Sequence, residues 1–206
     1  MTNAPKIAVL ISGSGTTLRN LIRKIGRREV DVDIRLVISS NPSAAGLQFA
    51  KEAGIETLIV QHGEHTSAES FSNAIFMPCR AQDVRLVVMG GFLKHVLIPP
   101  DFVGRVMNVH PSLIPAFCGQ GYYGRRVHAA VLEYGARISG CTVHFVDDHF
   151  DHGPIIDQRS VSVLDEDTAE TLAARVFALE CEAYPAAIQL FVHGRLHIDG
   201  RRVRVV

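Results

Sequence analysis

Lys6-Ile7-Ala8-Val9-Leu10-Ile11-Ser12-Gly13-Ser14-Gly15-Thr16-Thr17-Leu18 decides the fold of this chain. The apolar run to Ser12 reads as a strand, the glycine-rich stretch as a turn, and the spacing from Leu18 to Arg27 as a helix. Strand, glycine-rich turn and helix open a βα unit of the kind that binds a nucleotide or a phosphate. Glycines let backbone N–H groups approach an anion, the helix N-terminus adds partial positive charge, and the threonine hydroxyls add donors. A dinucleotide fingerprint needs glycine where Leu18 stands, and the lysine of a Walker loop is absent. A single phosphate therefore suits this loop better than a pyrophosphate.

Outward from that unit the alternation continues. Residues 32–38 read as a strand, 44–53 as a helix, 57–60 as a short strand, 67–81 as a helix despite Pro78, and 85–89 as an apolar strand ending in Gly90-Gly91. Repeated β-α-β-α implies an α/β fold with a mainly parallel central sheet and helices on both faces. Right-handed crossovers then bring the loops after the strands, including the Gly-rich turn, Gly90-Gly91-Phe92 and Asn108-Val109-His110, to one sheet edge. The C-terminal half departs from this pattern. Residues 127–134 read as a helix, 140–146 and 155–163 as consecutive strands around an acidic loop, and 196–206 as a hairpin turned at Asp199-Gly200, giving a mixed, partly antiparallel end. Residues 167–191 form a long helical pattern in which Pro185 predicts a kink or break near Tyr184.

With 206 residues and neither repeat nor linker, the chain is expected to be one domain, 1–206. Twenty-one basic residues balance twenty-one acidic ones, so nothing global points to nucleic acid or an acidic membrane surface as partner. Cys79, Cys118, Cys141 and Cys181 are scattered without a CxxC, which suits structural thiols of a reducing cytoplasm better than a disulfide framework or a zinc site. The apolar run from Ile7 to Ile11 is too short for a signal segment and is cut by Ser12-Gly13, and no stretch approaches membrane-spanning length. A cytoplasmic protein is expected.

The chemistry-bearing stretch is Asn108-Val109-His110-Pro111-Ser112-Leu113-Ile114-Pro115. In a strand Asn108 and His110 project to one side and Val109 to the other. Pro111 and Pro115 cannot donate to a ladder, so the strand opens into a loop at this point. A carboxylate beside His110 would hold one tautomer and stabilise the protonated ring. The segment from His144 to Pro154 offers Asp147, Asp148 and Asp151, and spacing does not choose among them.

Residues 12–18, 108–115, Gly140-Cys141-Thr142-Val143-His144-Phe145-Val146 and Asp151-His152-Gly153-Pro154-Ile155-Ile156 occur in the order seen in folate-dependent formyltransferases. The chain resembles that family along its whole length, and its phosphate loop resembles the branch that formylates glycinamide ribonucleotide in purine synthesis. The resemblance implies a Rossmann-like formyltransferase fold and 10-formyltetrahydrofolate as co-substrate. It implies Asn108, His110 and Asp151 as the catalytic trio, and so selects Asp151 among the three acids. It implies Gly15, Thr16 and Thr17 as phosphate ligands and Glu180 as a contact to the glycinamide side. Folate contacts fall on Leu93, Lys94, His95 and Val96 and on the loop residues Asp147, Asp148, His149 and Phe150. The amine would attack the formyl carbon, Asn108 and protonated His110 would face the developing oxyanion, and His110 would move the proton. That chemistry requires no metal. The partners implied are the two small molecules, with the chain a monomer or homodimer.

The sequence departs from the family pattern at several places. The segment 116–126 is longer than in many relatives, Ala68 stands where an arginine that contacts folate is frequent, and Thr17 replaces a common asparagine. His149 stands where glycine is usual and His152 where a small residue is usual. Tyr122 and Tyr123 suit a pterin stack or packing on their own loop, Arg125 and Arg126 read as a solvated helix start, and His144 as a hydrogen-bonded core residue. Rival readings are a formyltetrahydrofolate hydrolase, a sugar-nucleotide formyltransferase, and a non-catalytic mononucleotide-binding module.

Overall fold

The computed structural model describes residues 4–206. They fall into two compact units, one up to Met107 and one from Asn108 to Val206. The first carries strands β1 (Lys6–Ile11), β2 (Asp33–Ser39), β3 (Glu56–Ile59) and β4 (Leu86–Met89), with helices α1 (Thr16–Gly26), α2 (Gly46–Glu52) and α3 (Ala68–Ala81) between them. The strand order is β3-β2-β1-β4 and every pairing is parallel. In β1, Ile7 to Ile11 are without solvent exposure, because a central strand of a helix-covered parallel sheet is buried on both faces. α1 turns Leu18 and Leu21, three apart on one face, into the core. α3 starts at Ser67, whose side chain and that of Ser70 close a reciprocal capping box. The helix then carries Pro78 in its last turn while burying Phe71, Ile75, Phe76 and Cys79.

Strand β5 (Val106–His110) crosses from one unit into the other along the chain. The second unit adds α4 (Arg125–Tyr134), β6 (Ile138–Phe145), β7 (Ile155–Ser162), α5 (Ala169–Val192), β8 (Leu196–Asp199) and β9 (Arg202–Val205). β6 and β7 are antiparallel, β7 and β9 parallel, and β8 and β9 form the expected hairpin, with Asp199 opposite Arg202. α5 packs on α4, β6 and β7.

Of the kink or break expected near Tyr184, a break is absent: α5 runs unbroken through Pro185. Proline inside a helix costs about 3 kcal/mol or more. Here Ala183, Tyr184, Ala187 and Ile188 on either side are all buried. Burying one large apolar side chain is worth roughly 1.5–3 kcal/mol, so two of them offset the lost bond. No helix among the described residues is long and apolar enough to cross a membrane, and no disulfide joins the four cysteines.

Candidate active site

Ser12, at the end of β1, ties the strand-end loops of the first unit together. Its hydroxyl lies 2.7 Å from that of Ser40, after β2, and accepts the backbone N–H of Leu93, after β4, at 2.9 Å. The Ser12 N–H donates to the Gly91 carbonyl at 3.2 Å. The Gly-rich turn and Gly90-Gly91-Phe92 thus share one sheet edge, as expected. Gly15 caps α1 with φ +68°, and a Cβ there would meet the Gly46 Cα at 2.4 Å. Close backbone contact with α2 is therefore a second reason for glycine at 15. The N-terminus of α1 has no side-chain cap and no acid in its first turn, so its free N–H groups around Thr16 and Thr17 suit an anion.

Of the segment 93–96, Leu93 is half exposed, Lys94 exposed and His95 intermediate. Val96 is 3% exposed, which leaves only its backbone to offer a ligand.

In the second unit Asn108, His110 and Asp151 are brought together. His110, 4% exposed, sets Nδ1 3.4 Å from Asp151 Oδ2. Its Nε2 lies 2.9 Å from the Phe117 carbonyl and donates to it. The Asn108 amide points at Asp151 Oδ1 at 3.5 Å and at His144 Nε2 at 3.4 Å, with both contacts long enough to yield to a stronger acceptor. Asp151 also accepts the Gly119 N–H at 2.9 Å. Burial, the largest influence on the Asp151 carboxyl, pushes it up. His144, the charge on His110 and the Gly119 N–H together outweigh that push and hold it below the usual range. Burial lowers the His110 pKa, while Asp151 and the Phe117 carbonyl push it back only in part. Asp151 thus favours the charged ring, as expected, but burial prevails.

His144 is a hydrogen-bonded core residue, with Nδ1 2.7 Å from the Phe145 carbonyl, yet its Nε2 also reaches within 3.7 Å of Asp151. Its place near the end of the buried strand β6, facing Asn108, was hidden by the apolar run around it. His128 on α4, with Nδ1 buried and unpaired, is a further ring whose pKa is lowered, by burial and by His110.

The loop after His110 is braced from behind. The Thr142 hydroxyl donates to the Ser112 carbonyl at 2.7 Å and accepts the Ile114 N–H at 3.1 Å, while Gln158 donates to the Ile114 carbonyl and to Thr142. Further along, the Arg126 guanidinium lies over the Tyr123 ring at 5.0 Å, so Tyr123 packs against its own helix start.

Asp147, His149 and His152 bring ligand-type atoms within 4.8 Å of one another. His152 is already used at both ring nitrogens, toward Asp147 at 2.7 Å and Arg201 at 3.1 Å. Asp148 and Phe150 are exposed. Glu180, on α5, is intermediate in exposure, and burial alone pushes its carboxyl up to about 8. Ala68 is the first residue of α3 and offers no polar group.

A buried imidazole and an amide that both reach one carboxylate form an acid–base constellation, and its setting has known counterparts. The formyl transferase family profile matches residues 5–188, and the chain belongs to that family. It is 39% identical over 199 residues to the trifunctional purine biosynthetic protein adenosine-3 of Gallus gallus, covering 96% of this chain and 19% of that protein. It is 35% identical over 196 residues to phosphoribosylglycinamide formyltransferase of Haemophilus influenzae, covering 94% of this chain and 90% of that one. The crystal structure of glycinamide ribonucleotide transformylase 1 from Symbiobacterium toebii superposes with a TM-score of 0.90 at 38% identity, covering all of this chain and 96% of the other. The mixed α/β fold is that of the formyltransferases.

Proposed function

We propose that the protein transfers the formyl group of 10-formyltetrahydrofolate to the amine of glycinamide ribonucleotide, giving formylglycinamide ribonucleotide and tetrahydrofolate. The observation that carries this reading is that Asn108 and His110 both reach Asp151, at 3.5 and 3.4 Å. The amine attacks the formyl carbon, a C–N bond forms, and the carbonyl oxygen becomes an oxyanion. Asn108 faces that oxygen, as does Nε2 of His110 once it exchanges the Phe117 carbonyl for the substrate, and His110 carries the proton that leaves the amine toward the folate nitrogen as its bond to carbon breaks. A lost oxyanion donor costs about 10²–10³ in rate. Asp151 stays ionised and supports the charged ring.

Gly15, Thr16 and Thr17 hold the substrate phosphate, supported by the uncapped, acid-free start of α1. Glu180 contacts the glycinamide side, and the folate contacts are Leu93, Lys94, His95, the Val96 backbone and Asp147 to Phe150. The family profile runs through both units, which supports a single formyltransferase domain. No disulfide joins the four cysteines, which suits a reducing cytoplasm.

The test mixes purified protein with glycinamide ribonucleotide and 10-formyltetrahydrofolate and follows folate absorbance. Turnover that requires both substrates supports the reading. Turnover without the ribonucleotide replaces it with a hydrolase, and turnover only with an amino-sugar nucleotide replaces the acceptor.

A further inference from the structure

Asp151 adopts φ +52°, a left-handed conformation uncommon for a residue with a side chain, and its surroundings fix it there. Two residues on, Gly153 passes so close to β6 that a Cβ would meet the Phe145 carbonyl oxygen at 1.9 Å. Between them stands His152. Its Nδ1–H donates to Asp147 Oδ2 at 2.7 Å, closing the loop on itself. Its Nε2 accepts from Arg201 Nη1 at 3.1 Å, and Arg201 Nη2 donates to the His152 carbonyl at 2.6 Å. Arg201 is in the turn of the C-terminal hairpin, whose ladder to β7 joins Arg202 to Ile155, just past the same loop. One tautomer of His152 satisfies every contact, and a metal ion at Nδ1 would put a proton on the nitrogen that faces the guanidinium.

We propose that Asp147, His152 and Arg201 are positioning residues for Asp151: they strap the loop that carries the carboxylate to the C-terminal hairpin, and so set where it stands relative to His110. The catalytic consequence rests on the role given to Asp151 above; the placement itself does not.

The test compares Arg201→Met with wild type, Arg201→Lys and Asp151→Asn by steady-state kinetics and by an NMR titration of the His110 ring in the free protein. Asp151, His144 on β6 and His128 on α4 are the titratable groups around that ring. A misplacement near 1 Å can cost about 10²-fold. Arg201→Met is therefore expected to lower kcat about tenfold with KM for the amine substrate within twofold, and to move the His110 titration down toward that of Asp151→Asn. Arg201→Lys recovers most of both, because an ammonium still reaches the His152 carbonyl. A folded Arg201→Met protein with kcat within twofold of wild type and an unmoved His110 titration overturns the proposal. If Arg201→Met does not fold, His152→Ala, which removes the ring that joins Asp147 to Arg201, is read the same way. If wild-type protein transfers no formyl group, the proposed function fails, and the titration alone decides the strap.

Discussion

The backbone N–H of Gly119 donates to Oδ2 of Asp151 at 2.9 Å, so the glycine-rich segment after His110 and the loop after β6 meet at one carboxylate. The same oxygen lies 3.4 Å from His110 Nδ1. Asp151 therefore favours the charged ring against the larger effect of burial and holds the segment in place.

Asp151→Asn keeps the shape and removes the charge. It is expected to lower kcat/KM by about 10² or more, the lower end of what acid–base assistance supplies. The carboxyl is held below its ordinary 3.8. Its stabilisation is thus present above 3.8 and lost as pH falls through the lower folded-state value. Wild type should be the more stable protein at pH 6, and the gap should close in acid; an equal gap at pH 6 and pH 2.5 in denaturant titrations would count against the ionised carboxylate.

Glu180 runs the other way. With its carboxyl raised from 4.5 to about 8, the folded chain is at its most stable below 4.5 and loses this contribution as pH rises toward 8. Glu180→Gln should match wild type at pH 4 and exceed it at pH 8 by at least 1 kcal/mol or so, roughly 2–4 °C in a chain of this size. Thermal melts at the two pH values check this, and a variant that is less stable at pH 8 would refute it.

Thr142→Val leaves the Ser112 carbonyl and the Ile114 N–H without their hydroxyl partner behind the active-site loop. Unpaired buried groups cost about 1–3 kcal/mol. Urea unfolding should show that loss, together with a fall in kcat larger than any change in KM.

Gly15→Ala forces a side chain into φ +68° and against the Gly46 Cα. The conformation alone costs about 1–2 kcal/mol. Thermal stability should fall by several degrees whether or not phosphate is present, whereas Thr16→Ala should weaken phosphate binding with stability nearly unchanged. Isothermal titration with inorganic phosphate separates the two.

The helices and strands were legible in the sequence because apolar period and glycine punctuation agree, from β1 through the terminal hairpin. The Asn108–His110 pair was legible because prolines end its strand. Asp151 was not selected by spacing, since three acids lie within five residues, and only the resemblance separated them. His144 read as core because its neighbours are apolar, yet a strand facing Asn108 carries it to the carboxylate. Of the kink or break expected near Tyr184, the break did not form, because packing of Tyr184 and Ile188 outweighs a local preference. Gly46 and Arg201 could not be found by local reading at all: each matters through a partner dozens of residues away.

The Gly15–Gly46 contact has a consequence for how this chain can evolve. Most tight contacts can be relaxed by trimming the opposite side chain after one residue has grown. Here both positions already lack a side chain, and a Cβ on either meets the backbone of the other, at 2.4 Å from position 15 and 2.8 Å from position 46. Neither glycine can act as a second-site suppressor of the other, so a revertant of a Gly15 variant must carry its change elsewhere, in the course of the backbone between β2 and α2.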